Sequence, residues 1–185
     1  NITQDVTGSI LAAGGTVNID GQVGNTIRAA GGTLRISGPV ARDVVVAGGT
    51  IMIDESASIS GDLVINGGQI TVQGPVRGDI IVNGGQATIN TNVGGNVEGN
   101  VDDLIIGRQA VINGNVNYSS ERQATIRDGA IIRGEQNFNR VKDDDSDNMA
   151  GAISSFAVYK LVTDILAGLA FVYLLYRVTR RVIQR

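Results

Sequence analysis

The stretch DLVINGGQITVQGPVRGDIIVNGGQATI, residues 62–89, contains one unit written twice. DLVINGGQITV at 62–72 returns as DIIVNGGQATI at 79–89, and DVVVAGGTIMI at 43–53 precedes both. Further out, the pairs Gly14-Gly15, Gly31-Gly32, Gly48-Gly49, Gly67-Gly68 and Gly84-Gly85 recur at intervals of 17, 17, 19 and 17 in the numbering. A nearly fixed period made of short strands and turns is the signature of a solenoid, in which each repeat buries its apolar face only against its neighbours.

Alignment of the repeats gives columns one residue wide. Ile10, Ile27, Val44, Leu63, Ile80 and Leu104 form one; Ala12, Ala29, Val46, Ile65, Val82 and Ile106 form another two positions on. After the Gly pair come Val17, Leu34, Ile51, Ile70 and Ala87, then Ile19, Ile36, Ile53, Val72 and Ile89. A third short face carries Val23, Val40, Ile59, Val76 and Val93. Spacing by two is the strand period, so these columns point inward and share one core. Three short faces predict a triangular parallel β-helix of about seven to eight coils, roughly 35–40 Å long at the spacing of paired strands. The Gly pairs are read as corners with positive φ, where a side chain would obstruct the next coil.

Composition narrows the function. The chain has 185 residues, 26 of them Gly, with no Cys, His or Trp. It therefore offers no disulfide, no cysteine nucleophile, and neither the commonest general base nor the commonest metal ligand. No cofactor is expected, and the chain is not expected to be an enzyme. A hexapeptide-type acyltransferase needs its His, and a polysaccharide lyase needs an acidic and basic cluster in one groove. Residues 1–148 carry 10 basic and 17 acidic groups, and residues 149–185 carry five basic groups and one acid. An acidic rod provides no basic stripe for nucleic acid.

Several features lie outside the needs of the core. Leu11, Arg28, Val45, Val64, Ile81 and Ile105 fall between the inward positions of the first face and should point outward. Val45, Val64, Ile81 and Ile105 then form an exposed apolar ladder, read either as plain strand preference or as a lateral contact with another chain. Asp43, Asp62, Asp79 and Asp103 share a corner, which suits backbone capping at turns or a stacked cation site. The run Asp143-Asp144-Asp145-Ser146-Asp147 lacks the turn Gly and distal Glu of a calcium loop and reads as a solvated linker. After residue 90 the period loosens: GGNVEGNVDDLIIG carries about six extra residues before Leu104, read as an insertion or an altered coil, and GRQAVI (107–112) echoes as ERQATI (121–126). Val6 precedes Val23 by the same interval of 17, which suggests that coiling starts near the first residue. That end has no capping helix, so it would expose unpaired backbone. The initial Asn fits a processed chain, as after removal of a signal peptide.

From Met149 the text changes. Residues 153–176 are mostly apolar, and 157–176 is long enough to cross a bilayer core of about 30 Å. Arg177, Arg180, Arg181 and Arg185 follow the span, so the positive-inside rule puts the C-terminus in the cytoplasm and the β-helix outside. Lys160 and Asp164 lie four apart and share a helical face, and Gly168 continues the Asp164 face with room for a close partner helix. Asp164 is read as a pairing or assembly contact, with proton transfer or a juxtamembrane amphipathic segment as the other readings. The domains expected are a β-helix over 1–138, an acidic linker over 139–150 and a transmembrane helix with a basic end over 151–185.

At the level of the repeat, GDLVINGGQITVQGPVRGDIIVNGG (61–85) and the text around Gly31 and Gly48 resemble a bactofilin, of the polymer-forming bacterial cytoskeletal family. The likeness covers roughly residues 5–135. It implies a right-handed β-helix that polymerises end to end without nucleotide. Bactofilins typically sit in the cytosol with a short N-terminal targeting segment, whereas this chain has a C-terminal span and the opposite sidedness. Together the readings describe a scaffold in the bacterial cell membrane whose partners are lipid and itself. The alternative is an accessory subunit of a larger membrane complex, docked through its helix.

Overall fold

The computed structural model of the protein describes residues 1–141, and these form a parallel β-solenoid of about eight turns. Its principal sheet stacks the strands Ile10–Ile19, Ile27–Ile36, Val44–Ile53, Leu63–Val72, Ile80–Ile89, Val97–Ile106, Val116–Ser120 and Gln136–Arg140 in sequence order. Every pairing is parallel. Each ten-residue strand is bent into two faces. Buried positions alternate at Val44 and Val46, then at Ile51 and Ile53, so the period-two phase slips by one across the Gly pair. The ladder passes through Gly48 and Gly67 but skips Gly49 and Gly68, which puts the bend at the second glycine.

The third face is narrower. Val6, Val23, Val40, Ile59, Val76, Val93, Ile112 and Ile132 form one continuous inward column of bridges and two-residue strands. With the two larger faces it encloses a core in which Ile27, Val44, Leu63, Ile80 and Val97 are fully shielded from water. Burying a Leu or Ile of this kind contributes about 1.5–3 kcal/mol. Polar side chains on the corners serve the stacking as well. Asp43 Oδ1 accepts the Asp62 N–H at 3.0 Å, Asp62 Oδ1 the Asp79 N–H at 2.9 Å, and Asp79 Oδ1 the Asn96 N–H at 2.7 Å. Asn96 and Asn115 extend this staircase to the amides of Asn115 and Glu135, both at 2.9 Å. The acidic column thus caps backbone, each side chain serving the turn above its own, and Asp103 is not part of it. Asp103 pairs with Gln86.

Three expectations are corrected by the register. The Gly pairs do not need positive φ at most turns: among them only Gly84 has it, at 151°. Side chains are excluded by crowding instead. A Cβ on Gly48 would lie 2.5 Å from the Gly31 carbonyl oxygen, and one on Gly67 would lie 2.9 Å from that of Gly48. No insertion follows residue 90, because Ile80 pairs with Val97 and Ala87 with Leu104, each at the regular interval of 17. Leu104 and Ile106 therefore belong to the second face, and the Gly corner is rebuilt with Val101 opposite Gly84. Val101 is buried there. Lastly, GRQAVI and ERQATI lie on different faces. Val111-Ile112 pairs with Ile131-Ile132, and Ile105-Ile106 with Thr125-Ile126, each pair across an interval of 20 in the numbering.

The uneven period also has a physical cause. In the turn containing Ile19 and Val23 the second and third faces are joined by three residues; between Ile53 and Ile59 there are five. The added pair makes a tight turn in which the Ala57 N–H donates to the Asp54 carbonyl at 3.0 Å. The same turn recurs at Gly107–Ala110 and Arg127–Ala130, with hydrogen bonds of 3.1 and 3.0 Å. Ala57 and Ala110 are buried, so a small side chain fills the space beneath the extra backbone. The spacing of 19 between Gly48 and Gly67 is this turn.

Candidate assembly surface

The outward column of the first face is set by the pairings Leu11–Arg28, Arg28–Val45, Val45–Val64 and Val64–Ile81. It then continues through Glu98, Asn117 and Asn137. Val45, Val64 and Ile81 stand adjacent as expected, Ile81 being 39% exposed and the two valines half-buried. Ile105 does not join them. It pairs with Thr88 below and Thr125 above, on the outer side of the second face. The Leu104 misalignment moved it one face over, because apolar alternation alone does not distinguish two faces with the same period.

A neighbouring column was not legible as a contact surface from the sequence. Two positions beyond the ladder, Ala13, Ala30 and Ala47 are paired in register and are followed by Asn66, Asn83 and Asn100. Alanine is uninformative as a residue type, and only the stacking shows that three of them flatten the face beside Leu11 and Val45. The lower half of the face is therefore apolar and low in relief, interrupted by Arg28. The upper half is amide-rich. Asn137 Nδ2 donates to Asn117 Oδ1 at 3.0 Å, and Asn117 Nδ2 donates to Glu98 Oε1 at 3.3 Å.

Three aliphatic rungs extend only about 10 Å along the rod, far short of the roughly 800 Å² per partner of a standard interface. A lateral contact through this column would have to recruit the alanine and asparagine columns beside it. The last described turn adds apolar surface of a different kind. Ile126 continues the inward column of Ile89 and Ile106 yet is 41% exposed, and Ile131 is 51% exposed. Phe138 there stacks on Tyr118 with centroids 5.2 Å apart, and the Tyr118 hydroxyl accepts the Ala124 N–H at 2.8 Å.

Among the described residues no group of acidic side chains is arranged to hold a metal ion, and no helix is long and apolar enough to cross a membrane. Lys160, Asp164, Gly168, Arg177, Arg180, Arg181 and Arg185 lie outside the described residues. The geometry thus defines a class, a repetitive parallel β-solenoid whose outer faces differ from one end to the other. No family model, curated protein or solved structure matches the chain.

Proposed function

We propose that the protein is a non-enzymatic scaffold: a β-solenoid anchored in the bacterial cell membrane by its C-terminal apolar stretch, acting through contacts between copies of itself. The solenoid is compatible with a structural role. The observation carrying the reading is the row Val45, Val64 and Ile81, with Ala30 and Ala47 beside it. These are apolar side chains on a flat outer face that the core does not need. The likeness of the repeat to bactofilins favours self-assembly, and Arg177, Arg180, Arg181 and Arg185 favour a cytoplasmic C-terminus with the solenoid on the extracytoplasmic side. Sedimentation of the full-length protein in mild detergent tests the contact. The wild type should form species larger than a monomer, and Val64→Lys should shift them toward the monomer. A monomeric wild type, or an assembly indifferent to Val64→Lys, ends the lateral-contact reading.

A second reading rests on Asp164 within the apolar stretch, where an acidic side chain calls for a partner. The chain would then be an accessory subunit of a membrane complex, held by Lys160, Asp164 and Gly168. Stoichiometric foreign subunits in the same preparation, lost in Asp164→Leu, would favour it over homo-assembly.

A further inference from the structure

The residue at the corner that follows the second face changes along the stack. Backbone bonds from each to the turn below define the column Asp20, Ser37, Asp54, Gln73, Asn90, Gly107 and Arg127. At Asp54 the column holds a carboxylate, and that carboxylate is engaged. Arg35 Nε donates to Asp54 Oδ2 at 2.8 Å, its Nη2 donates to the same oxygen, and Ser37 Oγ donates at 3.2 Å. Higher on the same corner the carboxylate is replaced, first by the amides of Gln73 and Asn90 and then by Gly107, which has no side chain. A Cβ at Gly107 would collide with the Asn90 side chain, so the notch is a condition of the stacking there.

Two arginines open onto that notch. Arg108 and Arg127 line a shallow groove of about 460 Å³ together with Thr88, Asn90, Gly107 and Gln109. Both are exposed, and among the described residues the one ion pair is Arg35–Asp54. Asp128, next to Arg127 in the chain, pairs with neither. The neutral groups are positioned by each other: Asn90 Oδ1 accepts the Gln109 N–H and Asn90 Nδ2 donates to Gln109 Oε1, both at 3.0 Å. Residues 1–141 carry nine basic and 13 acidic groups, so two uncompensated guanidiniums in one groove run against the charge of the domain. Guanidinium forks match the paired oxygens of carboxylate and phosphate, and the threonine hydroxyl adds a neutral donor.

We propose that this groove binds one oxyanion, a phosphate or carboxylate group, between Arg108 and Arg127. Calorimetric titration of the full-length protein in non-ionic detergent tests this, with inorganic phosphate and glucuronate as separate probes and sodium chloride of matched ionic strength as reference. Saturable binding of at least one probe is expected, in the millimolar range. It should weaken at least tenfold in Arg108→Gln/Arg127→Gln and stay unchanged in Arg42→Gln, an exposed arginine elsewhere on the rod. Asn90→Asp, which places a carboxylate in the groove, should abolish binding with the circular dichroism spectrum unaltered. Phosphate alone binding assigns a phosphorylated ligand, glucuronate alone an acidic sugar, and both a general oxyanion site. No heat beyond that of chloride, or equal binding in the double variant, overturns the proposal.

Discussion

The first five long strands, from Ile10 to Ile89, and the last three, from Val97 to Arg140, obey the same stacking rule with different material. In the lower set each corner is a Gly pair, the outer first face is largely aliphatic, and Arg35 is held by Asp54. In the upper set Val101 and Asp102 replace the Gly pair, amides cover the outer face, Gly99 and Tyr118 take inward positions, and Arg108 and Arg127 have no carboxylate partner. Strict repetition satisfies its own polar groups turn by turn, and so leaves little that is specific. Donors and shape become available for a partner where the repeat drifts.

This contrast can be attacked from the core outward. Leu63→Ala removes a fully buried side chain with a turn on either side and should cost about 2–5 kcal/mol. The same truncation at Ile126, inward-facing but 41% exposed, should cost about 1 kcal/mol or less. Chemical denaturation of the two variants measures the gap, and equal losses would mean that the last turn is as enclosed as the middle. Glycine substitution makes the second comparison. Gly48→Ala forces a Cβ to 2.5 Å from a backbone oxygen and should cost about 1–3 kcal/mol, whereas Gly15→Ala meets nothing within 4 Å and should be near neutral.

The paired and unpaired arginines give smaller effects. Asp54→Asn should lower the melting temperature by about 2–4 °C, the loss of roughly one modest interaction in a chain of this size. Hydrogen bonding to Asp54, then its charge, raises the Arg35 pKa above the ordinary arginine value. A cation with a raised pKa contributes stability fully present below its unfolded value and lost only as pH rises through the folded one. No loss from Arg35 is therefore expected across neutral and mildly alkaline pH, and a melting curve of Asp54→Asn against wild type from pH 6 to 9 should keep a constant offset from this group. The smallest change is Asn90→Asp, which gives the upper groove the carboxylate that the lower corner has. Its melting temperature should be unchanged or slightly raised, an exposed ion pair being worth about 0–1 kcal/mol.

Most of the fold is legible in the residues. The five inward columns of the three faces, through Ile89 and Val93, stand where period-two spacing puts them, because each strand must hide alternate side chains and the repeat offers the same ones every turn. The misplacement of Leu104 and Ile105 has an equally physical origin. Once Gly84 is replaced by Val101, and Gly99 stands where Val82 and Ile65 stood, the first face no longer looks apolar, and the next good alternation is the second face. Of the candidate contact surface, Val45, Val64 and Ile81 were readable as outward-facing. The alanine column was not, because a flat patch is a property of neighbouring turns.

By itself the sequence determined the solenoid, its period and its interior, since a repeated apolar pattern has only its own neighbours to pack against. Tertiary structure decided what lies side by side on the outside. Stacking brings into contact side chains a full turn apart in the chain, and a shift of one turn exchanges one neighbour for another without changing the core. Asp54 meets Arg35, and Arg127 meets the notch at Gly107, only because intervening turns of different length put them on one corner. That register is set by backbone crowding and the two added turn residues, and composition carries no trace of it.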